Sequence, residues 1–390
     1  PVLDVVHAVS GHARLLGVWQ ARRVIAAGRI EWEARRNRQA LVSRPSMIPA
    51  ATVPIHPAPV PPARLQPVRW QQAWREAVRD PRELLAMLDL HALAARVSDE
   101  AAAQFPLRVP RGFVARMRRG DAHDPLLRQV LPLDDEMCVV AGFSADAVGD
   151  TAARAGAGLL TKYQGRALLV ATGSCAVNCR YCFRRHFPYA EETAARDGWR
   201  EAVAVIREDD SIEEVILSGG DPLSLATPKL AELTDALATI PHLKRLRIHT
   251  RLPVVLPERV DAPLLDWLRG LPWPVAIVLH ANHANEFDAS VDEALAALRG
   301  TGAQLLNQAV LLRGVNDSVQ ALADLSERSF AVGVLPYYLH QLDKVSGAAH
   351  FEVPDMEAKA LHAELAARLS GYLVPRLVRE VAGDTGKRPL

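Results

Sequence analysis

The chain has 390 residues, 49% of them apolar, with 46 Lys plus Arg against 45 Asp plus Glu. That length exceeds what one small core needs, and the balance of charge excludes an overall basic field that would attract nucleic acid or an anionic membrane. Four cysteines are too few for a disulfide framework, and no apolar run reaches the roughly 18 residues of a membrane span. The expected protein therefore works in a reducing cytoplasm, with no direct nucleic-acid or membrane partner.

Residues 1–69 are rich first in Arg and then in Pro, as in "PIHPAPVPPARLQP" from Pro54 to Pro67. They read as a disordered or extended segment ending in a linker, with residues 1–46 an extension dispensable for function. Residues 70–160 form a helical region: "WQQAWREAV", "PRELLAMLDL" after Asp80, "SDEAAAQF" with Ser98 as N-cap, and "DPLLRQVLPLDDE" (124–136), a short helix stopped by Pro132.

After Tyr163 the texture changes. Apolar runs at 166–172, 213–220, 243–250, 274–281, 303–312 and 330–339 alternate with amphipathic segments such as "TPKLAELTDALATI" and "SVQALADLSERS". Six strands, mostly followed by helices, predict a parallel α/β fold, with a full or partial barrel favoured over an open sheet. Chemistry in such folds collects at the C-terminal ends of the strands.

The loop after the first of these strands is "GSCAVNCRYCFRRHF" (173–187), which crowds Cys175, Cys179 and Cys182 into eight residues. Thiolates so spaced converge on a metal centre. Zinc with His186 as a fourth ligand is one use; a four-iron cluster, with one iron left open for a small molecule, is the other, and its place at the head of a β/α unit favours the cluster. Cys138 reads as an ordinary buried thiol. His91, His242 and His362 read as surface or satisfied core residues.

The C-x-x-x-C-x-x-C loop resembles that of the radical S-adenosylmethionine (SAM) enzymes, in which three cysteines hold a [4Fe-4S] cluster whose open iron binds S-adenosylmethionine. "LSGGDPL" (217–223) resembles their glycine-rich motif and implies that Ser218, Gly219, Gly220 and Asp221 lie beside that cofactor. "RLPVVLPERV", "HANHANEF", "NQAVLLRGVND", "PYYLHQLD" and "GYLVPRLVREVAGDTGKRPL" narrow the resemblance to the lysine 2,3-aminomutases, and within them to the short bacterial form that supplies β-lysine for elongation factor P. The resemblance runs from about Trp70 onward.

It implies a partial (β/α)6-type TIM barrel over 161–345, preceded by the helical region and followed by a pyridoxal 5'-phosphate-binding segment, 346–390. Lys387 in "GDTGKRP" is implied to carry the pyridoxal phosphate, with Arg166 near its phosphate. Arg184 is implied to grip the substrate carboxylate, a task suited to a planar guanidinium. Asp343 and Glu380, with Asp384 as the rival for the second place, are implied to hold the far ammonium, and His280 and Gln308 to face the adenosyl group. The implied reaction moves the amino group of L-lysine from C2 to C3 by a radical route, an isomerisation. The implied partners are a ligase that loads elongation factor P, that factor itself, and an electron donor such as flavodoxin or ferredoxin. The competing readings are the same chemistry for free β-lysine or another amino acid, and a non-catalytic metal-binding module.

Overall fold

The computed structural model describes residues 69–156, 158–189 and 199–390; the expectations for residues 1–68 lie outside the described residues. Short helices come first: α1 (Trp70–Arg75), α2 (Pro81–Met87), α3 (Asp99–Gln104), α4 (Arg111–Val114) and α5 (Pro125–Arg128). Ser98 caps α3 as expected, accepting the Ala101 amide at 3.1 Å, and Asp80 and Asp124 cap α2 and α5 in the same way.

Two expected helices are cut short. α1 ends at Arg75 because Val78 pairs with Val109 in an antiparallel bridge, which "WQQAWREAV" alone does not show. α5 is a single turn, since Pro132 steers the residue before it out of the helical region and Leu133 pairs with Val97.

The rest is one ten-stranded sheet in which spatial order equals chain order. Its strands are β1 (Arg154–Gly156), β2 (Leu159–Tyr163), β3 (Arg166–Thr172), β4 (Glu214–Gly219), β5 (Arg245–Thr250), β6 (Val275–Leu279), β7 (Gln304–Val310), β8 (Leu335–His340), β9 (Arg376–Arg379) and β10 (Arg388–Pro389). Pairing is parallel from β3 to β9 and antiparallel at both ends. The helices between parallel strands include α6 (Arg200–Glu208), α7 (Thr227–Ala238), α8 (Leu252–Val255), α9 (Ala262–Gly270), α10 (Ala289–Arg299), α11 (Val319–Ala331) and α12 (Asp355–Arg368). Asp261, Asp288 and Ser318 cap α9, α10 and α11 through the Leu264, Val291 and Ala321 amides. Leucines of α7, α9 and α10 bury against the apolar strands in one continuous core.

The six expected strands are present, and the last begins later than the apolar run suggests. Phe330 and Ala331 complete α11, and Gly333, at φ 78°, turns the chain before β8 starts at Leu335. α12 and β9 add a further β/α unit beyond residue 345, so the sheet continues into the C-terminal segment. Among the described residues no helix is long and apolar enough to cross a membrane.

Candidate active site

The C-terminal ends of β3 to β9 converge on one cavity of about 250 Å³, and every candidate residue named above except His186 and Asp384 lines it. The loop after β3 supplies Cys175, Cys179, Cys182 and Arg184. The end of β4 supplies Ser218 to Asp221, β6 and β7 supply His280 and Gln308, and the chain after β8 supplies Asp343. Glu380 follows β9, and Lys387 immediately precedes β10.

Two arginines adjacent in sequence face opposite ways. The Arg184 guanidinium, 6% exposed, donates from Nε to Asp150 Oδ2 at 2.7 Å and from Nη1 to Ser218 Oγ at 3.2 Å, which leaves Nη2 for a ligand. Arg185 turns away and shares the buried Glu136 carboxylate with Arg180, at 2.7 and 2.6 Å. Arg180 also donates to the carbonyls of Phe105 and Ala101, and Arg185 to the Gly347 carbonyl at 3.1 Å. This triad ties the cysteine loop to the helical region.

The two glycines at the end of β4 line the cavity and also let the cysteine loop pack closely against the strand. A Cβ on Gly219 would lie 2.6 Å from the Thr172 carbonyl oxygen, and one on Gly220 2.5 Å from that of Ser174. The close approach lets the Gly220 and Asp221 amides donate to Thr172 and Ser174, each at 2.7 Å. The Asp221 carboxylate is likewise engaged within the protein. It accepts the Thr250 hydroxyl and the Arg251 amide at 2.7 Å and the Leu223 and Leu252 amides at 3.1 Å. Burial raises its carboxyl to about 6, against the pull of those bonds.

A chain of alternating charge runs from Asp150, the partner of Arg184, to Lys387. Lys162 reaches Asp150 Oδ1 at 2.6 Å and Glu380 Oε1 at 3.0 Å, and Lys387 Nζ donates to Glu380 Oε2 at 2.8 Å. Burial works against the Glu380 anion, yet the Lys387 and Lys162 ammonium groups hold it down at about 2. Asp343 is pushed up to about 7 by burial and then by the Glu380 charge, with Lys387 and Lys162 pulling the other way. Asp384 does not join them: it pairs with Arg388 at 2.9 Å.

Three imidazoles line the same space. Burial and the Arg251, Lys387 and Arg184 cations hold His280 down at about 3, so the ring is neutral, and its Nε2 lies 2.8 Å from Gln308 Nε2. His249 and His340 are pushed well below the ordinary histidine value by burial first, which leaves them neutral.

The residues present fit the groups the resemblance implies. Burial pushes the Cys182 thiol up to about 11 and the Cys175 thiol well above its ordinary value, so both need a cationic partner to ionise, as iron would be. Among the described residues no three His, Cys, Asp or Glu side chains converge on a single-ion site. A four-iron cluster takes its thiolates on separate irons. His186 is exposed and touches the Ser346 carbonyl at 3.1 Å, which removes it as a fourth zinc ligand. For a phosphorylated ring, Arg166 Nε, His249 Nε2 and His340 Nε2 are buried beside the cavity without hydrogen-bond partners, and Lys387 offers an amine.

Sequence reasoning missed Asp150, Lys162, Glu136, Arg251, His249 and His340. The two histidines stand at ends of expected strands, where the barrel rule could have found them. It also misplaced Cys138, expected to be buried and in fact exposed, because "MCVVAGF" forms a surface loop with Val139 fully exposed, not a core segment. His242 and His362 are satisfied as expected, bonded to the Ile206 and Pro375 carbonyls.

The radical SAM superfamily model matches residues 169–325. The L-lysine 2,3-aminomutase of Escherichia coli (strain K12) is 48% identical over 322 residues, covering 82% of this chain and 94% of that protein. The L-lysine 2,3-aminomutase of Haemophilus influenzae is 46% identical over 82% and 94%, and that of Clostridium subterminale is 31% identical over 81% and 77%. With relatives 46% and 48% identical over 82% of its length, the chain belongs to the L-lysine 2,3-aminomutases, isomerases of the radical SAM superfamily.

Proposed function

We propose that the protein converts L-lysine to β-lysine with a [4Fe-4S] cluster, S-adenosylmethionine and pyridoxal 5'-phosphate, and that the product serves the modification of elongation factor P. The observation that carries this reading is the meeting of the three cysteines with Arg184, Asp343, Glu380 and Lys387 in a single cavity fed by seven strand ends. When bound, the cluster with S-adenosylmethionine supplies a hydrogen-abstracting radical, and pyridoxal phosphate supplies a carrier for the migrating amino group.

The protein's share is placement. Cys175, Cys179 and Cys182 hold the cluster, Lys387 the pyridoxal phosphate, and Arg166 with the neutral His249 and His340 its polar substituents. Arg184 binds the substrate carboxylate through the donors that Asp150 and Ser218 leave free. Asp343 and Glu380 bind the far ammonium. Glu380 is preferred over Asp384 because it lines the cavity and Asp384 does not. Two acids at that end select a substrate that carries a second positive charge. A reducing cytoplasm suits the free thiols, and a one-electron donor such as flavodoxin or ferredoxin completes the system.

The test is an anaerobic assay of reconstituted protein with S-adenosylmethionine, pyridoxal phosphate, a reductant and a panel of amino acids, followed by transfer of the product to elongation factor P by its ligase. β-Lysine from L-lysine, absent with Cys179→Ala and with Lys387→Ala, is the expected result. Turnover of another amino acid alone would overturn the substrate. β-Lysine that the ligase does not use would overturn the link to elongation factor P.

A further inference from the structure

Arg251 opens α8's loop at the end of β5 and is 6% exposed. Its Nη1 donates to the Cys179 sulfur at 2.7 Å and to the Tyr181 hydroxyl at 2.7 Å. Its Nη2 donates to Gln129 Oε1 at 2.7 Å and to Glu286 Oε2 at 2.9 Å, and its backbone amide to Asp221 Oδ2 at 2.7 Å. Glu286 is fully buried, so the cation cannot swing to water and is held against one thiol of the three. Cys179 is thus the cysteine singled out by a charged donor.

A charged N–H···S bond draws electron density from a thiolate, and hydrogen bonds to the ligand sulfurs are among the features that set the potential of an iron–sulfur cluster. We infer that Arg251 is a positioning residue for the cluster, fixing the Cys179 sulfur through a charge-assisted N–H···S bond and raising the cluster's reduction potential. The inference rests on the cluster reading of the three cysteines. Glu286 behind the guanidinium sets how much of its charge the sulfur feels, so the pair acts as one unit.

The test is a redox titration of the anaerobically reconstituted full chain, followed by the electron paramagnetic resonance signal of the reduced cluster, with iron content measured on the same samples. Arg251→Lys keeps the charge and loses the planar fork. Arg251→Met combined with Glu286→Gln removes both buried charges together, which avoids a lone carboxylate in the core. Both variants are expected to load iron as the parent does and to favour the oxidised cluster at least tenfold more, a fall of about 59 mV for one electron. An unchanged midpoint in iron-loaded variants overturns the inference. So do variants that fold but load no iron, because Arg251 would then serve assembly and not the potential. If the parent chain itself binds no iron, the cluster reading fails, and this inference with it.

Discussion

The cysteine loop and the C-terminal segment line the same cavity, yet they are held in different ways. The loop is fastened by groups paired with one another inside the protein: the Arg180–Glu136–Arg185 triad, the Gly219 and Gly220 backbone contacts, and the four donors on Asp221. The C-terminal side is held by ion pairs that line the cavity, from Lys162 through Glu380 to Lys387. One end is a fixed mount, and the other is a set of charges that a bound ligand can re-pair. A cluster needs constant geometry, whereas a dicationic amino acid needs partners free to exchange, so the two constructions suit the two tasks proposed for them.

The sharpest break is at the mount. Cys179→Ala should leave no detectable product, with iron content falling in the same preparation. Glu136→Gln, which touches no cavity atom, should destabilise the protein by about 3–5 kcal/mol, because two buried guanidinium groups lose their shared anion. Chemical denaturation of the apoprotein would measure it, and a loss under about 1 kcal/mol would mean that the triad is not what fastens the loop.

Changes at the exchangeable end should move binding and spare the fold. Asp343→Asn should raise the KM for lysine roughly ten- to a hundredfold, the range for a lost hydrogen bond to a charged group, with little change in thermal stability. The same carboxyl sets a pH dependence. Held near 7, it is mostly protonated at low pH and ionised above, so the KM should fall about tenfold between pH 6 and pH 8. Asp343→Asn should flatten that profile, and a slope surviving the substitution would assign it to another group. The smallest effect should come from Asp384→Asn, an exposed pair outside the cavity, with kinetics unchanged and stability shifted by about 0.5 kcal/mol or less. A large rise in KM there would reverse the choice between Glu380 and Asp384.

The cysteine loop was legible because its spacing is local, and the six central strands because runs such as "RALLVAT" and "EEVILSGG" are apolar and bounded by polar loops. The C-terminal lysine and acids were legible through resemblance, since a lysine beside Gly386 carries no local signal. The fastening residues were invisible for a physical reason. Glu136 and Arg180 lie 44 residues apart, Asp150 and Arg184 lie 34 apart, and Lys162 and Glu380 lie 218 apart, so only the folded chain creates these pairs. β1, β2, β9 and β10 were missed because strands of two to five residues take their identity from pairing, not from a run of their own. The run "FAVGVLPYYL" misled at its start because a helix end and a strand share apolar residues, and only the left-handed Gly333 separates them.

Sheet order that repeats chain order also sets a timetable. During synthesis the cysteine loop emerges first and Lys387 roughly 200 residues later, an interval of about 10–40 s at ordinary elongation rates. Throughout that interval the thiols exist without the strand that completes their cavity. On the cluster reading proposed above, a nascent chain that met iron early would hold its cluster open to oxidants until β9 and β10 join the sheet.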